Sequence, residues 1–264
     1  MARSKLHHIL QAVSLAALLF AGPALGAEVS STAKYVVTLS GVNIADVGVK
    51  LNDDGQHYSL DLDATVAGLG QLVASGTASV NVSGVSGGNR LGSEKFALQT
   101  VARGETFSIK IQYARGNVSS FIVDPPITNN IDRIPIERSQ LSGVGDMLSA
   151  FVIKGGTLDK SLCDRKMQIF TGVERFAIGM RFNANDTATS PRTGYQGPVV
   201  LCQIRYTPIS GHFTTSEMTN YLANSDHILI WYAPMGTTGY FIPYRVLLTT
   251  SVGDLSMVLT SLSD

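Results

Sequence analysis

The chain has 264 residues, 44% of them hydrophobic and only 15% charged, with 20 basic and 20 acidic side chains. This balance carries no electrostatic footprint for nucleic acid and no polybasic patch for anionic lipid. The length is ample for a real hydrophobic core.

The first residues read as a targeting segment. Arg3 and Lys5 make a positive start, Ile9 to Ala21 is an apolar run too short to span a bilayer well, and Gly22-Pro23 breaks it. The small residues Ala24-Leu25-Gly26 suit signal-peptide cleavage, so residues 1–26 are expected to be a signal peptide and 27–264 one β-rich periplasmic domain. An uncleaved anchor is the alternative. The mature chain has about 240 residues, stays close to neutral and has no later apolar run long enough for a transmembrane helix.

The mature chain opens with strand-like residues from Tyr35 to Leu39 and from Val42 to Leu51. Asn52-Asp53-Asp54-Gly55 predicts a hairpin, because Asp-Gly accepts the positive φ of tight β-turns. Tyr58, Leu60 and Leu62 then alternate with Ser59, Asp61 and Asp63. A short apolar run, Leu69 to Val73, precedes a strand of alternating small and polar residues through Val82. Gly84 to Gly88 reads as a loop. Strands follow around Phe96 and Leu98, from Phe107 to Ile111 and from Val118 to Val123, with turns at Arg103-Gly104 and Gly116-Asn117. Pro125, Pro126 and Pro135 exclude a regular ladder from Asp124 to Ser142, which predicts a segment crossing between halves 30–123 and 160–262. Asp146 at a helix start, followed by Met147, Leu148, Ala150 and Phe151, predicts one short helix near 145–153, ended by Gly155-Gly156.

In the second half, Met167–Phe170 and Arg175–Phe182 predict paired strands around Thr171-Gly172. Asn183 to Gly197 reads as a polar loop, Val199–Tyr206 as a strand, and Pro208 to His212 as a compact turn. Ser216 to Leu222 could make one or two helical turns. Ile228–Tyr232 is apolar throughout and predicts a strand buried on both faces. Two last strands follow, and Pro243 in the first of them predicts an edge or a bulge. Cys163 and Cys202 are the only cysteines, and an oxidising compartment favours a bridge between them over two buried thiols.

Candidate chemistry is sparse. Gly84-Val85-Ser86-Gly87-Gly88 fits a nucleophile-elbow pattern, but no helix follows it, so Ser86 is not assigned a catalytic role. The mature histidines, His57, His212 and His227, have no metal-ligand spacing; His212 reads as a turn residue, and Asp226-His227 as the turn before an apolar strand. No catalytic residues, cofactor or metal are expected. Trp231, Tyr232, Tyr240, Phe241 and Tyr244 form an aromatic group that reads as core packing or, with His212, as a surface for a ligand or partner.

A set of motifs carries a family resemblance: Gly145-Asp146-Met147-Leu148-Ser149; Cys163 with Phe170-Thr171-Gly172-Val173-Glu174-Arg175; Gly197-Pro198 to Cys202; Pro208-Ile209-Ser210-Gly211-His212; Trp231; and Pro243-Tyr244-Arg245-Val246. In this order they resemble the uncharacterised bacterial envelope family called domain of unknown function 3108, over roughly residues 30 to 262. The resemblance implies a periplasmic, strand-rich, curved or spiral sheet with no established activity. Three functions are therefore weighed. The first is a non-enzymatic periplasmic protein that supports the cell envelope by binding a partner protein or wall polymer. The second is a carrier of a lipid or other apolar ligand in a cavity of the curved sheet, lined by residues such as Phe107, Ile111, Trp231 and Phe241. The third is an envelope hydrolase. The expected fold is all-β, a large antiparallel sheet curved into an open barrel or spiral.

Overall fold

A computed structural model describes residues 28–72, 75–250 and 253–263. The expected signal peptide lies outside the described residues, as do Val73, Ser251 and Val252. The first half forms β1 (Val29–Leu39), β2 (Val42–Asp53), β3 (His57–Val66), β4 (Gly76–Gly87), β5 (Arg90–Ala102), β6 (Glu105–Ala114) and β7 (Asn117–Asp124). The second half forms β8 (Ile153–Lys154), β9 (Arg165–Phe170), β10 (Arg175–Ala188), β11 (Gly197–Ser210), β12 (Ile228–Pro234), β13 (Tyr240–Thr250) and β14 (Gly253–Ser263).

These make one 14-stranded antiparallel sheet in the order β7-β6-β5-β4-β3-β2-β1-β14-β13-β12-β11-β10-β9, with β8 paired to β13 beside the path. The two halves therefore meet in mid-sheet, where Tyr35 stands opposite Leu259. Three hairpins turn through Ser40-Gly41, Arg103-Gly104 and Arg115-Gly116, all six residues at positive φ, the turn whose twist suits paired strands.

The sheet is not closed. Its two end strands nevertheless approach each other, with the rings of Phe121 on β7 and Phe170 on β9 edge to face at 5.1 Å. The crossing segment runs between them. Ser142 bridges to Asn117 on β7, and Gly145 bridges to Ile169 on β9. The Gly145 N–H donates to the Gln168 carbonyl at 2.9 Å, and the Phe170 N–H donates back to the Gly145 carbonyl at 3.1 Å.

Two apolar clusters hold the sheet. The first gathers one face of β1 to β6, including Leu51, Leu60, Val82 and Ile111, with Val144 and Val152 of the crossing segment. The second gathers Val200, Cys202 and Ile204 of β11 with Ile230 and Tyr232 of β12, beneath Leu162 and Cys163. Val199 belongs to the first cluster, so β11 is buried on both faces there. The Cys163–Cys202 disulfide is formed, across a sequence separation of 39.

Several elements differ from the sequence expectation. The stretch 145–153 holds no α-helix but a 3-10 turn, Ser149–Phe151, preceded by Asp146, whose Oδ1 accepts from the Leu148 and Ser149 N–H groups at 2.8 Å each. Glycine on one side and the sheet-bound β8 on the other leave no room for a longer helix. The α-helix of the described residues is α1 (Glu217–Asn224), capped by Ser216. The Gly84–Gly88 region is not a loop: β4 runs through Gly87. A side chain at position 84 would meet the Gly92 carbonyl of β5 at 2.0 Å, so glycine marks a close strand approach there. The predicted turn at Pro208 begins only at Gly211, because β11 extends to Ser210. The predicted 183–197 loop starts late as well, since β10 extends to Ala188. The bulge expected near Pro243 is present in the β12–β13 pairing.

Candidate functional site

The only serine in an elbow-like pattern, Ser86, sits inside the molecule at 4% exposure. It belongs to a polar knot drawn from four strands. Asp53 closes β2, and its Oδ1 accepts from the Gly55 N–H at 2.8 Å to shape the hairpin. Its Oδ2 accepts from Ser86 Oγ at 2.7 Å, from Lys154 Nζ at 2.7 Å and from the Tyr240 hydroxyl. Lys154 also donates to Ser86 Oγ. Burial works to raise the Asp53 carboxyl. The hydrogen bonds from Lys154, Tyr240, Ser86 and Gly55 together outweigh it and hold the group below the ordinary carboxylate range. Burial, then the bond to Asp53, pushes the Tyr240 phenol up, so it stays a donor. The amine nearest Ser86, that of Lys154, is held against the Asp53 carboxylate. The knot fastens β8 to β2, β4 and β13.

A second buried group repeats this logic. Asp146, at 1% exposure, accepts from Ser93 and Ser149 hydroxyls as well as from the Leu148 and Ser149 amides. Burial next to this carboxylate raises the Tyr58 phenol to about 12.

A third group clamps the crossing segment to the far end of the second half. Arg133 donates to the Gly211 and Val173 carbonyls at 2.7 Å each. Arg175, at 6% exposure, donates to the Gln140 carbonyl at 2.9 Å, to the Phe176 carbonyl at 2.6 Å and to the Gln168 side chain. Burial lowers its guanidinium below the usual arginine value. Ser210 Oγ donates to Gln140 Oε1 at 2.6 Å. His212 lies in this docking turn; its carbonyl accepts from the Ile134 N–H at 3.0 Å, and its Nδ1 is buried without a partner. Gly211 is required by contact, since a side chain there would meet the Val173 carbonyl at 2.1 Å.

The other candidates lie apart. His57 is exposed, 3.8 Å from Asp54, and Asp226 pairs with Arg205 at 3.6 Å. Among the described residues no group of three His, Cys, Asp or Glu side chains is placed to hold a metal ion. The aromatic group is mostly interior: Tyr232, Tyr240, Phe241 and Tyr244 are buried, and Trp231 is half-buried with its indole N–H donating to Asp186 Oδ2 at 2.8 Å.

The accessible feature lies where sequence reasoning placed a loop. β9 pairs with β10 only up to Met180, opposite Arg165, whereas β11 accompanies β10 to Ala188. Residues 181–188 therefore have a neighbour strand on one side only. The Thr187 N–H turns to its neighbour Asp186 Oδ1 at 2.7 Å. Over the end of the β10–β11 ladder lies a groove of about 780 Å³, within the range of ligand sites. It is lined by Phe182, Asn185, Asp186 and Thr187 of β10, residues 198–200 of β11, and residues 158–161. Phe182 is 40% exposed. Asp159 Oδ1 accepts from the Ser161 N–H at 2.8 Å, and bonds from Ser161 and Thr157 hold its carboxyl down at about 2. Asn183 to Thr187 escaped the sequence reading because a strand open to solvent on most sides carries no apolar alternation.

The model of a family described only as proteins of unknown function, DUF3108, matches residues 34–260. The chain belongs to the DUF3108 family. Both the polar knot and the groove fall within the family's span. No curated protein matches the sequence. Among solved structures, the chain is similar to the crystal structure of a beta-barrel-like protein of domain of unknown function DUF1849 from Brucella abortus. That likeness has a TM-score of 0.52 at 11% identity and covers 89% of this chain and 97% of the other. It is a likeness of fold.

Proposed function

We propose that this DUF3108 protein is a non-enzymatic protein of the periplasm that supports the cell envelope by binding a partner protein or wall polymer. The observation that carries this reading is how its reactive side-chain types are used. Ser86, Lys154 and Asp53 are tied to one another and to Tyr240, and Asp146 to Ser93 and Ser149, while the groove over β10 and β11 faces solvent. The apolar-carrier reading called for a cavity lined by Phe107, Ile111, Trp231 and Phe241. Instead Ile111 is fully buried, Phe107 and Trp231 pack with it in the first cluster, and Phe241 packs in the second.

The test is genetic and biochemical together. A strain lacking the protein is complemented with the natural chain or with Ser86→Ala, and detergent resistance and fractionation are measured. The expected result is a periplasmic chain, a detergent-sensitive deletion strain and full rescue by Ser86→Ala. Photo-crosslinkers placed over the exposed surface should trap a partner in cells. A folded Ser86→Ala chain that fails to rescue, or a chain absent from the periplasmic fraction, overturns the reading.

A further inference from the structure

We infer that the depression over Gly179 of β10 is a binding site for a phosphate group, held between Arg181 and Arg205 with Lys166 beside it. This goes beyond the partner-binding reading and does not rest on it. Phe176, Ile178 and Met180 of β10 are buried in the second cluster, so Gly179 and Arg181 face outward. Strand register then assembles the site. Lys166 on β9 and Arg205 on β11 stand opposite Gly179, one on each side, and Arg181 stands opposite Gln203. No run of basic residues in the sequence announces this grouping.

Gly179 leaves the centre empty. A side chain there would meet only the Arg205 Cβ, at 4.0 Å. The depression has a volume of about 380 Å³, room for a small anionic group. Its guanidinium groups are positioned in advance. Arg181 donates through Nε and Nη2 to Gln203 Oε1 at 2.9 and 2.6 Å, and Gln203 is itself fixed by donating its amide to the Asp226 carbonyl at 2.6 Å. Neither bond uses Arg181 Nη1. Arg205 Nη1 lies 3.6 Å from Asp226 Oδ1, a loose and exposed pair that a ligand can replace. Lys166 and Arg181 form no salt bridge among the described residues, with Asp164 before β9 or with any other acid. Lys166, Arg181 and Arg205 thus face one lining carboxylate, Asp226, and the site stays positive. A phosphate monoester matches this set in charge and offers a peripheral oxygen to each cation. A carboxylate has fewer oxygens and a single charge.

The experiment titrates the full mature disulfide-bonded protein with inorganic phosphate and with glycerol phosphate at constant ionic strength. NMR follows the arginine side-chain N–H signals and the Gly179 amide. The expected result is saturable shifts at Gly179, Arg181 and Arg205, with millimolar affinity. Arg181→Gln combined with Arg205→Gln, both at exposed positions, should weaken binding by roughly tenfold or more. Asp226→Asn removes the competing carboxylate and should tighten binding by roughly threefold. Gly179→Leu fills the depression without removing a charge and should abolish binding; the open space over Gly179 lets that variant fold. Phosphatidylcholine vesicles with and without phosphatidic acid then identify the carrier. Cosedimentation that needs phosphatidic acid and is lost in Gly179→Leu assigns the site to a lipid headgroup. Saturable binding of glycerol phosphate without cosedimentation assigns it to a soluble phosphate ester. Shifts that do not saturate, or that chloride reproduces, overturn the inference. So does binding of phosphate or of vesicles that survives Gly179→Leu or the double arginine substitution.

Discussion

The first seven strands and the strands from β9 to β13 solve the same problem differently. In the first half one face is apolar and the other is wet. Leu51, Leu60, Val82 and Ile111 point inward, and the outer face carries cross-strand polar pairs such as Asn81 with Asp61 at 2.7 Å and Asn52 with Ser59 at 3.2 Å. Each hairpin there is a local unit closed by its own turn. In the second half neighbouring residues are buried on opposite faces, as at Ile169 and Phe170, Val199 and Val200, and Tyr232 and Ala233. The second face needs a roof, and irregular segments supply it: the turn around Leu162 and Cys163, and Leu222 and Ala223 of α1. A one-faced sheet is stabilised strand by strand. A two-faced one depends on whatever holds its roof, and here that is a disulfide and a set of long-range hydrogen bonds.

The largest expected effect follows from that dependence. Replacing Cys163 and Cys202 together by Ala should cost about 4 kcal/mol in denaturant unfolding, from the reopened loop. The loss should be unevenly spread: amide exchange should quicken in β9 to β12 and stay slow in β2 to β5. Equal acceleration in both halves would erase the contrast.

Asp53→Asn attacks the link between the halves. It leaves Lys154 without its carboxylate in a mostly buried place, for an expected cost of about 3 kcal/mol at pH 7. The folded Asp53 titrates below the unfolded value of about 3.9, so its contribution is complete above that pH and is lost as pH falls through the lowered folded value. The variant should therefore show a flatter acid limb in stability against pH. An unchanged acid limb would mean that the knot contributes little.

Arg175→Met tests the docking of the crossing segment on the second half. It removes three donated hydrogen bonds and should cost about 2 kcal/mol, with faster exchange first at Gln140 and Gly145. At the small end, Phe182→Ser should shift stability by no more than about 0.5 kcal/mol, because the side chain is already 40% exposed. A larger loss would make Phe182 part of the second half's packing and not of an open groove.

Local chemistry made much of the first half legible in advance. Asp54-Gly55 placed the β2–β3 hairpin, and the alternation from Tyr58 to Leu62 placed its inward face. The two cysteines of a chain expected to be exported pointed to one bridge, and the prolines from Pro125 to Pro135 marked the crossing segment. These signals are short-range consequences of backbone sterics and of water on one side of a sheet. The same signals failed where water was absent from both faces or present on most. Asn183 to Ala188 was read as loop, and Pro208 to Ser210 as turn, although both are paired strand. The aromatic group around Trp231 could be named from sequence, but not its place inside two cores.

What tertiary structure alone decided is which distant residues meet. Asp53, Ser86, Lys154 and Tyr240 come from four strands, with Asp53 and Tyr240 separated by 187 positions. No window of sequence contains that knot. The groove over β10 and β11 arises in the same way, between those strands and residues 158–161, which the adjoining disulfide fastens to β11. Strand identity is a property of neighbours in the chain, and periodicity reports it. A knot or an open edge is a property of closure, set by how far the sheet curls and by which segment crosses it.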